Sequence, residues 1–389
     1  MPPRLVAVRL APDAFIPTLH AVWAAGDAVL PLPAPTQGGT DSMAADAIAR
    51  WRPHVVVDAT GEHAGPAGAT LPDDTALVVP TSGTTGAPRG VVLSHRALTA
   101  STTRSLVALG AATGEMFALV LPLHHIAGLQ VVLRAWSCDT TPVVTDLGEL
   151  AAGSAERVHV SFVAAQLAEL LDRGVHPERF AKVLVGGGPV PDRLLTRARA
   201  AGLDVVTSYG MTETCGGCVY DGRPLPDIAV DAREGRLRIR GPVLADSYLD
   251  DPTPLRDTDG WFVTPDRGAV VDGRVIVHGR TDDVIVTGGE NVDAILVADA
   301  LRAHHAVRDA AVVGIDDARW GAIIAAAIVP TPGAHCDPES VVAFVRRQLP
   351  ASHAPRRVVV VDALPVTTLD KVDRNAVRRL FDDRSDAVT

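Results

Sequence analysis

Short runs of Val, Ile and Leu alternate along the chain with segments whose apolar residues recur at helical spacing. The runs 54-HVVVDA, 76-ALVVP, 117-FALVLP, 158-VHVSFV, 182-KVLVGG and 204-DVVTSYG predict strands. The segments 94-SHRALTASTTRSLVALG, 165-AQLAELLDR and 191-PDRLLTRARAAG predict helices, the first of them capped by Ser94. Strands buried on both faces read as continuous apolar runs, so this region is expected to be α/β with a largely parallel sheet. From about 233 the segments become short, charged and turn-rich (REGRLRIRGP, DGWFVTPDRGAVVDGRVIVHGR), which predicts a small antiparallel or barrel-like β subdomain. After 279-GRTDD a second β/α pattern begins, with helices at 292-VDAILVADALRAH and 338-PESVVAFVRRQL. Its strands are predicted at 310-AAVVGI, 322-AIIAAAIVP and 357-RVVVVDALP. The boundary falls near Asp282 and divides the chain into a large domain, 1–281, and a small α+β domain, 282–389. The Pro/Gly/Ala-rich stretch 59 to 72 reads as a surface loop.

Composition narrows the function classes. A chain of 389 residues with 47% hydrophobic and 21% charged residues has the make-up of a folded protein of two or three domains or subdomains. A net charge of −10 and a pI near 5.7 argue against a broad surface for nucleic acid, while leaving room for a local basic pocket. Cys138, Cys215, Cys218 and Cys336 are too few for a disulfide framework. The N-terminus MPPRLVAVRLAPDAF lacks a signal-peptide core, and no apolar run reaches the about 20 residues that span a bilayer. The expected address is cytoplasmic, with no membrane partner. Lys182 and Lys371 are the only lysines in a chain otherwise written with arginine.

The stretch 80-PTSGTTGAPRGVVLSH follows an apolar strand. Three glycines, four hydroxyls and Arg89 within residues 81 to 90 can present many donors to a polyphosphate. It is not a Walker A loop, which needs G-x-x-x-x-G-K-S/T. At this point the sequence resembles the acyl-adenylate-forming enzymes, whose loop reads S/T-S-G-S/T-T-G-x-P-K-G, with Arg89 here in place of the usual lysine. Further segments follow in the family's order: 121-LPLHHIAGL, 186-GGGPV, 208-SYGMTET, 235-GRLRIRGPVLADSYLDD, 260-GWFVTPDRG, 279-GRTDDVIVTGGENV and 365-PVTTLDKVDR. The resemblance spans about residues 76 to 376.

This resemblance implies an ATP-dependent acid:CoA ligase. ATP, with Mg2+, and a small-molecule carboxylic acid give an acyl-adenylate, and coenzyme A then displaces AMP. Thr81, Ser82, Gly83, Thr84, Thr85, Gly86 and Arg89 would steady the phosphates. Gly187, Gly188, Pro189, Ser208, Tyr209, Gly210 and Met211 would surround the adenine. Thr212 would touch phosphate, Glu213 would bind Mg2+, and Asp266 and Arg280 would contact ribose or phosphate. His125 would line the acid pocket. Asp282 would be the hinge of a mobile C-terminal domain that delivers Lys371 for adenylation and Gly288, Gly289, Glu290 and Asn291 for thioester formation. Standing alone, Glu213, Asp266 and Arg280 would read as surface charges, and His125 as a core histidine.

Cys215-Gly-Gly-Cys218 invites a zinc or redox reading, yet no second CxxC exists. Its place directly after 208-SYGMTET fits small residues shaping the acid pocket. The match to GGENV after the hinge is typical of acyl- and aryl-CoA ligases. The short stretch before the phosphate loop, with 365-PVTTLDKVDR, is similar to the o-succinylbenzoate:CoA ligases of menaquinone biosynthesis. Other readings are a ligase for another small aryl or acyl acid and a non-catalytic adenylate-binding protein. A homodimer is what relatives suggest.

Overall fold

The fold is taken from a computed structural model of the chain, which describes residues 2–35, 42–81, 88–152, 156–249, 251–281, 284–366 and 372–382. The chain divides into two compact units. The first is Met1–Val230, Ile239–Val263 and Gly273–Val275; the second is Asp231–Arg238, Thr264–Asp272 and Ile276–Thr389.

Two sheets of mixed direction build the first unit. One runs in the order Ser247–Tyr248, Arg89–Ser94, Thr75–Thr81, Ala28–Pro31, Leu5–Arg9, Val55–Asp58, Gly61–Ala64. Its centre is parallel and its margins antiparallel. The other runs Arg223–Pro224, Gly216–Tyr220, Val205–Met211, Phe180–Val185, Val158–Phe162, Met116–Leu119, Val143–Val144, parallel from Val205–Met211 onward. The predicted α/β class is the observed one. Val158–Phe162 is buried along its whole length: on one face His159 stacks on Phe117 and Ser161 meets Arg134 of the helix Ile126–Ser137, while on the other Val158, Val160 and Phe162 share a core with Val183 and Val185 under the helices Ala164–Arg173 and Asp192–Ala200. Burying one such side chain is worth about 2 kcal/mol, so the continuous apolar runs are a direct readout of two-sided burial.

Two local readings change. Within 59 to 72, residues Gly61–Ala64 form an exposed edge strand that pairs with Val55–Asp58. The helix predicted from Ser94 is His95–Leu109, but Ser94 does not cap it: its hydroxyl is buried and makes no hydrogen bond among the described residues. The helix N-terminus is instead served from the neighbouring loop, by the Asp74 carbonyl accepting from His95 N–H at 3.0 Å and Asp74 Oδ2 accepting from Arg96 N–H at 3.4 Å.

Where the β subdomain is predicted, Ala229–Arg233, Arg236–Arg240, Phe262–Val271 and Arg274–Arg280 form a sheet in that order. In the second unit a further sheet is ordered Glu290–Asp293, Val284–Thr287, Gly321–Pro330, Val307–Asp317, with Arg357–Val360 also pairing Gly321–Pro330. Alternation along Gly321–Pro330 sends Ile324, Ala326 and Ile328 into the core under the helices Ala294–Arg302 and Pro338–Gln348. Ala325, Ala327 and Val329 enter the core that holds Val377 and Phe381 of the helix Arg374–Asp382. A sheet covered on both faces explains why this strand reads as apolar throughout. Among the described residues, no helix is long and apolar enough to cross a membrane.

Candidate active site

The predicted phosphate loop begins and ends on two paired strands. Thr81 closes Thr75–Thr81, Arg89 opens Arg89–Ser94, and the two face each other across the ladder. Thr81 Oγ1 donates to the Arg89 carbonyl at 3.3 Å. Ser82, Gly83, Thr84, Thr85 and Gly86 lie outside the described residues. On its other side Arg89–Ser94 pairs with Ser247–Tyr248, and Leu249 N–H donates to the Gly90 carbonyl at 2.8 Å. The Arg89 guanidinium lies over the Tyr248 ring, 5.0 Å from its centroid.

The motif 208-SYGMTET forms one arm and the tip of a tight hairpin. Val205–Met211 runs into the short 3-10 turn Thr212–Thr214, and Gly216–Tyr220 returns. A Cβ on Gly210 would stand 2.1 Å from the Gly216 carbonyl oxygen, so only glycine lets the two arms approach this closely. Cys215 takes φ +53 and its carbonyl accepts from Gln130 Nε2 at 2.8 Å and Ser101 Oγ at 3.1 Å. Thr214 is fully buried; its hydroxyl accepts from Met211 N–H at 2.9 Å and donates to the Gly216 carbonyl at 2.6 Å. These bonds fix the turn that carries Thr212 and Glu213. Ala245 N–H donates to the Glu213 carbonyl at 2.8 Å, and the Tyr248 hydroxyl donates to Glu213 Oε1 at 2.9 Å. Burial first, and then the Glu213 charge, push the Tyr248 phenol up, so it remains a donor at neutral pH. Glu213 forms no ion pair among the described residues.

Val158–Phe162, Phe180–Val185 and Val205–Met211 run parallel, so their carboxyl ends share one edge, where open α/β sheets take their ligands. The turn Gly186-Gly187-Gly188-Pro189 leaves that edge, with Gly187 at φ +81. A Cβ on Gly186 would lie 2.8 Å from the Ser208 carbonyl oxygen, so the start of this turn packs against Ser208, the residue that opens the motif 208-SYGMTET.

His125 stands at the N-cap position of the helix Ile126–Ser137, its ring 4.1 Å from that of His124. Burial pushes the His124 pKa down, so that imidazole is neutral at pH 7. The same helix carries Gln130 and Arg134, both buried. Arg134 Nη1 donates to Ser161 Oγ at 3.3 Å, its Nε has no partner, and no carboxylate pairs with it among the described residues. Burial pushes its pKa down. Cys215 and Cys218 are buried free thiols, both raised by burial, Cys218 to about 12. Among the described residues no three His, Cys, Asp or Glu side chains converge on a metal position.

In the second unit, Asp266 is buried on Phe262–Val271 and Arg280 ends Arg274–Arg280. Thr281 Oγ1 donates to the Pro265 carbonyl at 3.0 Å, so the proline at 265 keeps the strand and ties it to the residue after Arg280. Gly288 and Gly289, at φ +59 and +83, make the two-residue turn between Val284–Thr287 and Glu290–Asp293, as two left-handed residues in a hairpin require. Asn291 follows on the second strand. The helix expected from 292 therefore starts at Ala294, capped by Asp293 accepting from Ile295 N–H at 2.8 Å. Asp282 and Lys371 lie outside the described residues.

The sequence reading passed over Ser101, Gln130, Arg134, Thr214 and Tyr248. Gln130 and Arg134 had a signal, being polar positions inside the apolar helix IAGLQVVLRAW. Tyr248 stands in 235-GRLRIRGPVLADSYLDD, but its meeting with Glu213 depends on a strand pairing that spacing does not reveal.

Comparison with known proteins agrees with this geometry. The AMP-binding enzyme family matches residues 37–249, and the AMP-binding enzyme C-terminal domain matches residues 296–371. A probable 2-succinylbenzoate–CoA ligase of Mycobacterium tuberculosis is 42% identical over 342 residues, covering 82% of this chain and 88% of that protein. A feruloyl-CoA synthase of Amycolatopsis is 31% identical, covering 79% of this chain and 70% of that protein. Among solved structures, an o-succinylbenzoate CoA synthetase of Bacillus subtilis in complex with its acyl-adenylate intermediate superposes with a TM-score of 0.81 at 25% identity. That match covers 99% of this chain and 89% of that one. The chain belongs to the AMP-binding enzyme family.

Proposed function

We propose that this protein is an ATP-dependent acid:CoA ligase whose acid is o-succinylbenzoate. Relatives named as 2-succinylbenzoate–CoA ligases support the reading, and the observation that carries it is Arg134. A guanidinium buried without a carboxylate costs several kcal/mol, and a ligand with a second carboxylate would offset that cost. o-Succinylbenzoate has two carboxylates, one to be activated and one to be recognised. Arg134 stands in the last turn of the helix that begins beside His125, about 13 Å along its axis, with its guanidinium on Ser161 of Val158–Phe162.

The residues divide the work as follows. Gly187, Gly188, Pro189 and Ser208 to Met211 hold the adenine, and Asp266 and Arg280 hold the ribose or phosphate. Thr81 to Gly86, Arg89 and Thr212 steady the phosphates. Glu213 suits magnesium: it is an oxygen donor with no cation paired to it among the described residues, and one of its oxygens is already oriented by Tyr248. Bound there, magnesium would offset charge on the phosphate oxygens. Lys371 brings an ammonium between the acid and the α-phosphate while the carboxylate oxygen attacks phosphorus and pyrophosphate departs. Rotation of 282–389 about Asp282 then replaces Lys371 with Gly288, Gly289 and Glu290, and the coenzyme A thiol attacks the acyl carbonyl, releasing AMP.

ATP–pyrophosphate exchange tests the assignment of Arg134. With Arg134→Gln, exchange driven by o-succinylbenzoate falls about 100-fold, as expected for loss of a charge-assisted contact. Exchange driven by 4-oxo-4-phenylbutanoate, the same acid without its ring carboxylate, stays within about twofold of the unmodified enzyme. Equal loss with both acids, or none, contradicts the assignment. Preference of the unmodified enzyme for monocarboxylic aryl acids would place it with the feruloyl-CoA synthase relative instead.

A further inference from the structure

Tyr248 joins two parts of the site that lie far apart in the sequence. Its backbone belongs to Ser247–Tyr248, paired antiparallel with Arg89–Ser94 so that Tyr248 faces Val91. Arg89 is then the diagonal neighbour, within reach of a long side chain across the ladder, and its guanidinium rests over the Tyr248 ring at 5.0 Å. The hydroxyl at the other end of the same side chain donates to Glu213 Oε1 at 2.9 Å. The backbone repeats the connection: Ala245 N–H donates to the Glu213 carbonyl and Leu249 N–H to the Gly90 carbonyl, both at 2.8 Å. Residues 245 to 249 thus bridge the exit of the phosphate loop and the turn that carries Glu213.

We propose that Tyr248 is a positioning residue with two separable tasks, orienting the Glu213 carboxylate through its hydroxyl and seating the Arg89 guanidinium on its ring. A glutamate has three rotatable bonds, and a donor on one oxygen fixes the direction of the other, as outer hydrogen bonds do for carboxylates that ligate metals. The ring accounts for the arginine at 89, where related loops have lysine. A planar guanidinium stacks on an aromatic face and stays in register with it, whereas an ammonium is a point charge without a preferred plane. The inference rests on the reading of Glu213 as the magnesium ligand.

Two binding measurements on the full chain separate the tasks: the affinity for α,β-methylene-ATP without metal, by calorimetry, and the affinity of Mn2+ for the complex with that nucleotide, by electron paramagnetic resonance. Tyr248→Phe keeps the ring and loses the hydroxyl, so Mn2+ affinity falls about tenfold while metal-free nucleotide affinity is unchanged. Tyr248→Leu loses both tasks, and metal-free nucleotide affinity falls as well, by about fivefold. Adding Tyr248→Phe to Glu213→Gln produces no further loss of Mn2+ affinity, because the hydroxyl then has no carboxylate to orient. Unchanged Mn2+ affinity in Tyr248→Phe, or an additive loss in the double variant, overturns the proposal. Full Mn2+ affinity in Glu213→Gln alone would instead overturn the reading of Glu213.

Discussion

Lys371 and Arg89 set the question of what a cation must look like at each point of the site. The Arg89 guanidinium lies over the Tyr248 ring, 5.0 Å from its centroid. By resemblance, Lys371 enters a narrow gap between two reacting groups, which suits a compact ammonium on a flexible stem. Both Lys371→Arg and Lys371→Ala are therefore expected to lose adenylation by several orders of magnitude while still converting preformed acyl-adenylate and coenzyme A to thioester. Near-normal pyrophosphate exchange by the arginine variant would show that charge alone suffices there. Individual motif residues were legible wherever local chemistry dictates them. Glycines at 210, 288 and 289 sit where a side chain would collide or a left-handed backbone is required. Tyr248 was not legible, because its meaning lies in partners that only the folded chain brings near, whereas Arg134 left a signal as a polar position in an apolar helix.

At the scale of elements, the hairpin formed by Val205–Met211 and Gly216–Tyr220 holds the turn that carries Glu213. The distance between its arms is set by the absence of a Cβ at 210, which would otherwise stand 2.1 Å from backbone oxygen. Backbone cannot yield as a flexible side chain can, so Gly210→Ala is expected to destabilise the protein by about 2 kcal/mol, seen as a lower urea midpoint. A midpoint equal to that of the unmodified protein would mean that the hairpin adjusts freely. The strands and helices themselves were largely written in the apolar pattern, since two-sided burial leaves continuous runs and helical faces leave a period near 3.6. The pattern failed at element ends. The segment Arg89–Ser94 reads as the approach to a helix, and Val292 and Asp293 as the start of the next one, because such short strands carry no periodicity of their own.

For the whole molecule, the sequence placed the change of pattern near Asp282, while the compact units also interleave segments on the N-terminal side of that point, Asp231–Arg238 and Thr264–Asp272. A chain that crosses between units several times leaves several small shifts in pattern, and a reading along the sequence registers the largest of them. Fold and family were legible because ordered motifs over some 300 residues constrain each other. Substrate was less so, since the motifs that mark the family serve ATP and the thiol, and the side chains we assign to the acid lie outside them. The most direct measurement incubates the protein with ATP, Mg2+, coenzyme A and an equimolar panel of o-succinylbenzoate, benzoates, cinnamates and medium-chain fatty acids, and identifies the thioester by mass. o-Succinylbenzoyl-CoA is the expected dominant product, formed with one AMP per thioester. A panel in which another acid is consumed and o-succinylbenzoate is left untouched would contradict the assigned substrate.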